Sequence, residues 1–192
     1  MSSKGFRERI LEIYEDGAAL TNSTVQTSLL PASAKEATLG AGLLRIGKVI
    51  GFELSGRIST VVTTPGTLAL SLRFGSVDAF TTGAMTLNVT AQTTVHWVLR
   101  GELVVRAVGA GSVTTLMPKG CTFTSHAVIG SAAIGAGGAG VQMLPYNTAP
   151  AVGTGFDFTS SQLMDVLGTW SVASASNSVT VHAGHVDIYT GG

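Results

Sequence analysis

The feature that most restricts the fold is a two-residue alternation of apolar and polar side chains that recurs along most of the chain. It is clearest between residues 97 and 106. One set of positions is apolar or glycine: Trp97, Leu99, Gly101, Leu103 and Val105. The positions between them hold Val98, Arg100, Glu102, Val104 and Arg106. Because successive side chains of a β-strand point to opposite faces, the segment is predicted to be a long strand with one buried face.

The same alternation, or a short apolar run bounded by turn residues, predicts further strands. They cover residues 50–59, 68–74, 85–89, 113–117, 122–128, 166–172 and 179–189. Ser174-Ala-Ser-Asn177 is predicted to be the hairpin loop between the last two. About eight strands separated by Gly, Pro, Ser and Asn turns are typical of an all-β sandwich or barrel. Strands with one apolar and one polar or small face favour a jelly-roll-like sandwich of two sheets.

The first residues differ from the rest because they are rich in charge. Phe6, Ile10, Ile13 and Tyr14 fall at helical spacing, but strand alternation also fits part of the segment, so its structure stays open. We therefore expect an N-terminal arm over residues 1–30. The jelly-roll domain is then expected to cover residues 31–192.

Residues 120–156 contain no Asp, Glu, Lys or Arg. Glycines interrupt this stretch too often for a membrane-spanning helix, which needs about 20 mostly apolar residues in sequence. Charged residues are only 11% of the whole chain, against about 25% in typical domains. An uncharged surface on a soluble chain is usually covered, most simply by another copy. The candidate assembly contacts are Phe6, Ile10, Ile13, Tyr14, Ile134, Val141, Met143, Leu144 and Tyr146.

Charge and cysteine content argue against several classes of protein. Eleven basic and eleven acidic residues give a net charge of zero, and no dense basic stripe is present to bind nucleic-acid phosphates. Cys121 is the only cysteine, so no intrachain disulfide can form, and we expect it to be a small core residue. The polar, charged first residues do not have the pattern of a secretory signal peptide.

No group of residues in the sequence specifies a reaction. Gly135-Ala-Gly-Gly-Ala-Gly140 lacks the Lys-Ser/Thr of a phosphate-binding loop and is expected to be a contact loop. His182 and His185 are three apart, which on a strand places them on opposite faces rather than around one metal ion. Glu53 and Glu102 are expected to form cross-strand ion pairs with nearby arginines. We therefore expect no catalytic, metal or cofactor site.

Short motifs along the chain resemble those of a family of small proteins encoded among tailed-bacteriophage virion genes. In the first half they are Leu20-Thr-Asn-Ser-Thr, Ser28-Leu-Leu-Pro31, Ile46-Gly-Lys, Ser55-Gly-Arg-Ile-Ser-Thr, Thr63-Thr-Pro-Gly-Thr67 and Leu72-Arg-Phe-Gly75. In the second half they are Leu144-Pro-Tyr-Asn-Thr-Ala-Pro-Ala-Val152, Gly155-Phe-Asp157, Thr169-Trp-Ser-Val-Ala and Ser176-Asn-Ser178. They are turns and strand starts, so they specify a fold better than a role.

The resemblance implies a jelly-roll homotrimer that decorates the capsid exterior by binding the major capsid protein after synthesis in the host cytoplasm. It brings no catalytic residues, and neither a membrane nor a nucleic acid is an expected partner. The main alternative is a receptor- or glycan-binding head of a tail or head fibre. It would place aromatic and polar side chains together at loop tips, whereas Trp97 and Trp170 both fall within predicted strands. A carbohydrate-active enzyme on the same sandwich would need a pair of carboxylates in a cleft.

Overall fold

The computed structural model describes residues 7–131 and 135–190, and these residues form an all-β sandwich of two antiparallel sheets. In chain order the strands are β1 (Arg7–Ile13), β2 (Leu20–Thr21), β3 (Thr27–Ser28), β4 (Thr38–Leu39), β5 (Lys48–Thr60), β6 (Thr67–Phe74), β7 (Val77–Thr81), β8 (Met85–Thr86), β9 (Gln92–Ala107), β10 (Thr115–Ser131), β11 (Gly135–Met143), β12 (Gln162–Trp170) and β13 (Ser178–Thr190). A short 3₁₀ turn spans Ala32–Ala34.

The large sheet has the strand order β1-β13-β5-β9-β10-β11, with β2 also paired to β13. The small sheet has the order β3-β12-β6-β7, with β4 on β12 and β8 on β6. The predicted all-β, two-sheet architecture is therefore confirmed. Its more specific form, the jelly roll, is not confirmed.

The strands with the clearest alternation lie where the sequence predicts them, although their bounds differ. β9 extends the predicted strand at both ends, to Gln92–Ala107. The two strands predicted around Pro118-Lys-Gly120 are one continuous strand, β10. It contains a bulge between Lys119 and Thr122, where Gly120 has a φ of 60°, a conformation that glycine adopts without strain.

The predicted hairpin near the C-terminus is wrong. β12 pairs with β6 in the small sheet, whereas β13 pairs with β5 in the large sheet. The intervening loop therefore crosses from one sheet to the other. Asn177 holds this crossing in place, because its side chain accepts a hydrogen bond from the Val61 amide and donates to the carbonyls of Pro65 and Val172.

The core lies between the inner faces of the two sheets, as the alternation predicts. Trp97 and Trp170 are 0% and 1% exposed, which confirms the prediction that both are core residues. Trp97 stacks on Phe123 at a ring-centroid distance of 5.8 Å. Cys121 is also buried, and the missing side chain of Gly101 makes room for its sulfur: a Cβ there would lie 2.3 Å from Sγ.

The described part of the predicted arm belongs to the sandwich. β1 pairs antiparallel with β13 along its whole length, and Leu11 and Ile13 are only 2% exposed. The strand alternative is thus the observed one for this segment. β2 and β3 add short ladders to β13 and β12.

Helices contribute little to the structure. In the two described ranges, none of the helical segments has the length and apolar character that crossing a membrane requires.

Candidate assembly edge and polar depression

β11 forms one edge of the large sheet, and within the described residues it pairs only with β10. The strand carries no charged residue and four glycines. The segment expected to be a contact loop is therefore a strand. An edge strand presents backbone N–H and C=O groups that no neighbour satisfies, and charged side chains are one common way to prevent pairing with another chain. β11 lacks that protection.

Two large apolar side chains on β11 are exposed to solvent. Val141 is 58% exposed and Met143 is 67% exposed. Their partners across the ladder are Thr124 and Thr122 of β10, which lie on the outer face of the sheet. β11 and the neighbouring positions Thr122 and Thr124 of β10 thus form one uncharged surface, which we call the β11 surface.

The other predicted contacts are distributed differently. Tyr14 is 70% exposed at the end of β1. Ile13 belongs to the core, and Ile10 is partly buried against it, so neither offers an exposed apolar surface. Phe6 and Ile134 lie outside the described residues.

Leu144 and Tyr146, also predicted as contacts, attach the connection after β11 to the sandwich. Leu144 is 5% exposed, and its amide donates to the carbonyl of Cys121 at 2.9 Å. The Tyr146 amide donates to Thr82 at 2.7 Å, and its hydroxyl donates to the carbonyl of Gly130 at 3.2 Å. Farther along, the Gly153 amide donates to Leu116. This charge-free connection is therefore anchored to the domain at these points, whereas residues 147–152 between them are exposed.

An open polar depression of about 740 Å³ lies on the outer face of the large sheet, over β13, β5 and β9. Its floor includes Gly51, an outward-facing position of β5 without a side chain. Gly51 is paired with Asp187 on one side and with Glu102 on the other. A Cβ at Gly51 would lie 2.8 Å from Cε1 of Tyr189, so the glycine makes room for that ring.

On the β13 side, the depression is bounded by a buried carboxylate. Asp187 is 2% exposed and accepts hydrogen bonds from Nε of Arg7 and from Nε of Arg9, both at 2.9 Å. His185 Nε2 lies 3.4 Å from the same carboxylate. Burial by itself raises the pKa of the Asp187 carboxyl, but the hydrogen bonds from the two arginines outweigh it, so the pKa is lowered from its ordinary value.

On the β9 side, Glu102 is held by two donors. Tyr189 donates its hydroxyl proton to Oε1, and Lys119 Nζ lies 3.0 Å from Oε2. These two hydrogen bonds lower the pKa of the Glu102 carboxyl. Burial, followed by the nearby carboxylate, raises the pKa of the Tyr189 hydroxyl. The tyrosine therefore bridges from β13 to β9 across Gly51.

Glu53 and Arg100 lie at the rim of the depression. They are direct partners across the β5–β9 ladder, and both are exposed. Over the described residues neither side chain has a hydrogen bond or an ion pair, so the predicted cross-strand ion pair of Glu53 is wrong. Glu102 does form one, but its partner is Lys119 rather than an arginine.

Three carboxylates around one depression raise the question of acid catalysis. A general acid that works near neutral pH needs a raised pKa. The pKa values of Asp187 and Glu102 are instead lowered, because both carboxylates are already bound by cations or hydroxyl donors. Across the described residues, no three His, Cys, Asp or Glu side chains are grouped closely enough to hold a metal ion.

Sequence reasoning missed the depression for a definite reason. Arg7 and Asp187 are 180 residues apart, and Tyr189 and Glu102 are 87 apart. The one local signal was Gly51, a glycine on the polar face of a strand. Comparisons of the chain with family models, with curated proteins and with solved structures found no significant match.

Proposed function

We propose that this chain is a non-enzymatic structural protein of a tailed-phage virion, a decoration protein that forms homotrimers and binds across neighbouring major-capsid subunits on the capsid exterior. The virion setting comes from the sequence resemblance. The observation that carries the assembly role is the uncharged edge strand β11 with its exposed Val141 and Met143.

The physical argument concerns what covers this edge. Exposed apolar side chains beside unpaired backbone groups favour contact with a similarly uncharged surface, since a charged partner would lose hydration without gaining an ion pair. A second and third copy of the same chain supply such surfaces. A decoration protein that binds only the assembled shell adds its binding free energy to the stability of that shell.

The first test is the native mass by light scattering after size exclusion. We expect about three times the chain mass of 19.5 kDa. The double variant Val141→Lys/Met143→Lys should run as a monomer, because two ammonium groups would have to lose their water in the contact. A matched control is Ile46→Lys, which should remain trimeric because this 69% exposed side chain lies in the connection before β5 and not on β11.

The second test is co-sedimentation with assembled shells of the major capsid protein. Binding to expanded shells but not to free capsid subunits is the expected result. A monomeric wild-type protein that does not sediment with shells would overturn the proposal. If the double lysine variant keeps the trimer mass, β11 does not form the contact between copies.

A further inference from the structure

We propose that the polar depression over Gly51 is a binding site for a neutral sugar, of the size of one or two pyranose rings. The site goes beyond the proposed assembly role, and none of its residues belongs to the β11 surface. Its volume of about 740 Å³ falls in the range of about 300–1,000 Å³ that is usual for small-ligand sites.

The charges around the depression favour an uncharged ligand. Its lining contains three cations, Arg7, Arg100 and Lys119, and three carboxylates. Arg7 already forms an ion pair with Asp187, and Lys119 forms one with Glu102. An anion or a cation would therefore meet a site with no excess of the opposite charge.

The groups with unused hydrogen-bonding capacity fit hydroxyls. Glu53 offers only acceptors and Arg100 offers only donors, and they stand side by side across the β5–β9 ladder. A sugar hydroxyl both donates and accepts, so adjacent hydroxyls of one ring satisfy the two groups together. Hydrogen bonds to charged groups are the stronger kind, which matters in a site so open to water.

Tyr189 supplies the apolar part of the site. Its ring lines the depression and its hydroxyl is already bound to Glu102, so the ring is held in a single position across Gly51. An immobilised aromatic ring offers contact area to the C–H groups of a sugar at little cost in side-chain entropy. His185, the ladder partner of Glu53, lines the same depression.

The test is saturation-transfer-difference NMR with cellobiose, lactose and N,N′-diacetylchitobiose, followed by titration of the one that binds best. We expect a dissociation constant of about 1 mM, as suits a shallow site. Arg100→Gln should weaken binding about tenfold through the loss of charge-assisted hydrogen bonds. Arg57→Gln is the matched control: this exposed arginine lies on β5, outside the depression, and binding should be unchanged.

A second variant probes the tyrosine. Gly51→Ala would place a Cβ 2.8 Å from the ring of Tyr189 and displace it, so binding should be lost while the native mass of the oligomer stays that of the wild type. Glycine and glucose 6-sulfate serve as zwitterionic and anionic probes. Binding of either in place of the sugars would overturn the proposal, as would sugar binding that Arg100→Gln leaves intact, or no binding at all.

Discussion

At one edge of the large sheet, β1 buries the side chains of Leu11 and Ile13. Its two arginines bind the buried carboxylate of Asp187. At the other edge, β11 has neither charges nor ion pairs, and its large side chains Val141 and Met143 face solvent. β1 carries charged side chains, which discourage pairing of an edge strand with another chain. β11 has no charged side chain, so its unpaired backbone groups lack this protection. Under the proposed function, β1 serves the stability of the domain and β11 serves contact with another copy of the chain.

The largest effect should come from truncating one apolar side chain at each edge. Leu11→Ala on β1 removes a side chain that is 2% exposed and should lower the free energy of unfolding by about 3 kcal/mol. Met143→Ala on β11 should change it by less than about 0.5 kcal/mol when the protein is measured as a monomer, because its side chain is exposed. Urea unfolding of both variants in the Val141→Lys background, at a concentration where light scattering gives the monomer mass, measures the contrast. Equal losses at the two edges would contradict it.

The next effect concerns the carboxylate that holds β1. Asp187→Asn keeps the shape but removes the charge, and we expect a loss of about 1 kcal/mol. The value is modest because the arginine partners are 42% and 61% exposed, so water already screens the ion pairs. Glu53→Gln is the control, since this exposed carboxylate has no partner among the described residues. An effect of Glu53→Gln as large as that of Asp187→Asn would argue against a stabilising role for the ion pairs between Asp187 and the arginines of β1.

A third prediction concerns pH, which should act on the carboxylates beside β1 and in the depression but not on β11, which has no titratable side chain. The folded-state pKa values of Asp187 and Glu102 are lowered, so their contribution to stability is full above the unfolded-state values near about 4 and is lost as the pH falls through the folded-state values. The pKa of Tyr189 is raised, so its contribution is present below about pH 10 and is lost as the pH rises further. Melting temperatures between pH 2 and pH 11 should fall at both ends, and Asp187→Asn should reduce the acid loss.

The smallest expected effect is that of salt. One molar sodium chloride shortens the screening length to about 3 Å and should weaken the exposed parts of the ion pairs at β1, which lowers unfolding stability by a few tenths of a kcal/mol. Association through the uncharged β11 surface should be unchanged or tighter. The native mass at low protein concentration, with and without one molar sodium chloride, measures this association. Dissociation of the oligomer by salt would indicate that charged residues, not β11, form the contact.

The parts of the fold that were predictable are those that depend on neighbours along the chain. The alternation around Trp97 identified β9 and its buried face, and the Leu68–Phe74 pattern identified β6. β11 was not recognised as a strand, because Gly135–Gly140 has almost no side chains from which to read a period. The turn residues before Asn177 correctly predicted a loop, but they did not show that the next strand belongs to the other sheet.

For the candidate sites, the sequence named Val141 and Met143 from the absence of charge around them, and both are exposed. Leu144 came from the same argument, and Ile13 came from the apolar spacing of the N-terminal arm. Both side chains are in the core, because local apolarity does not distinguish a side chain buried within the chain from one buried against a partner. The depression could not be found this way, since its groups come from distant segments.

By itself the sequence determined that the chain builds amphipathic strands, which side chains of the regular ones point inward, and that one long stretch carries no charge. A two-residue period is a local property, and the hydrophobic effect acts on it whatever the partner strand is. The tertiary structure alone decided which strands are neighbours. It placed Asp187 beneath two arginines from the start of the chain, Tyr189 against Glu102, and β11 at an open edge. Alternation specifies the face of a strand but not its neighbour, so these pairings follow only from how the whole core packs.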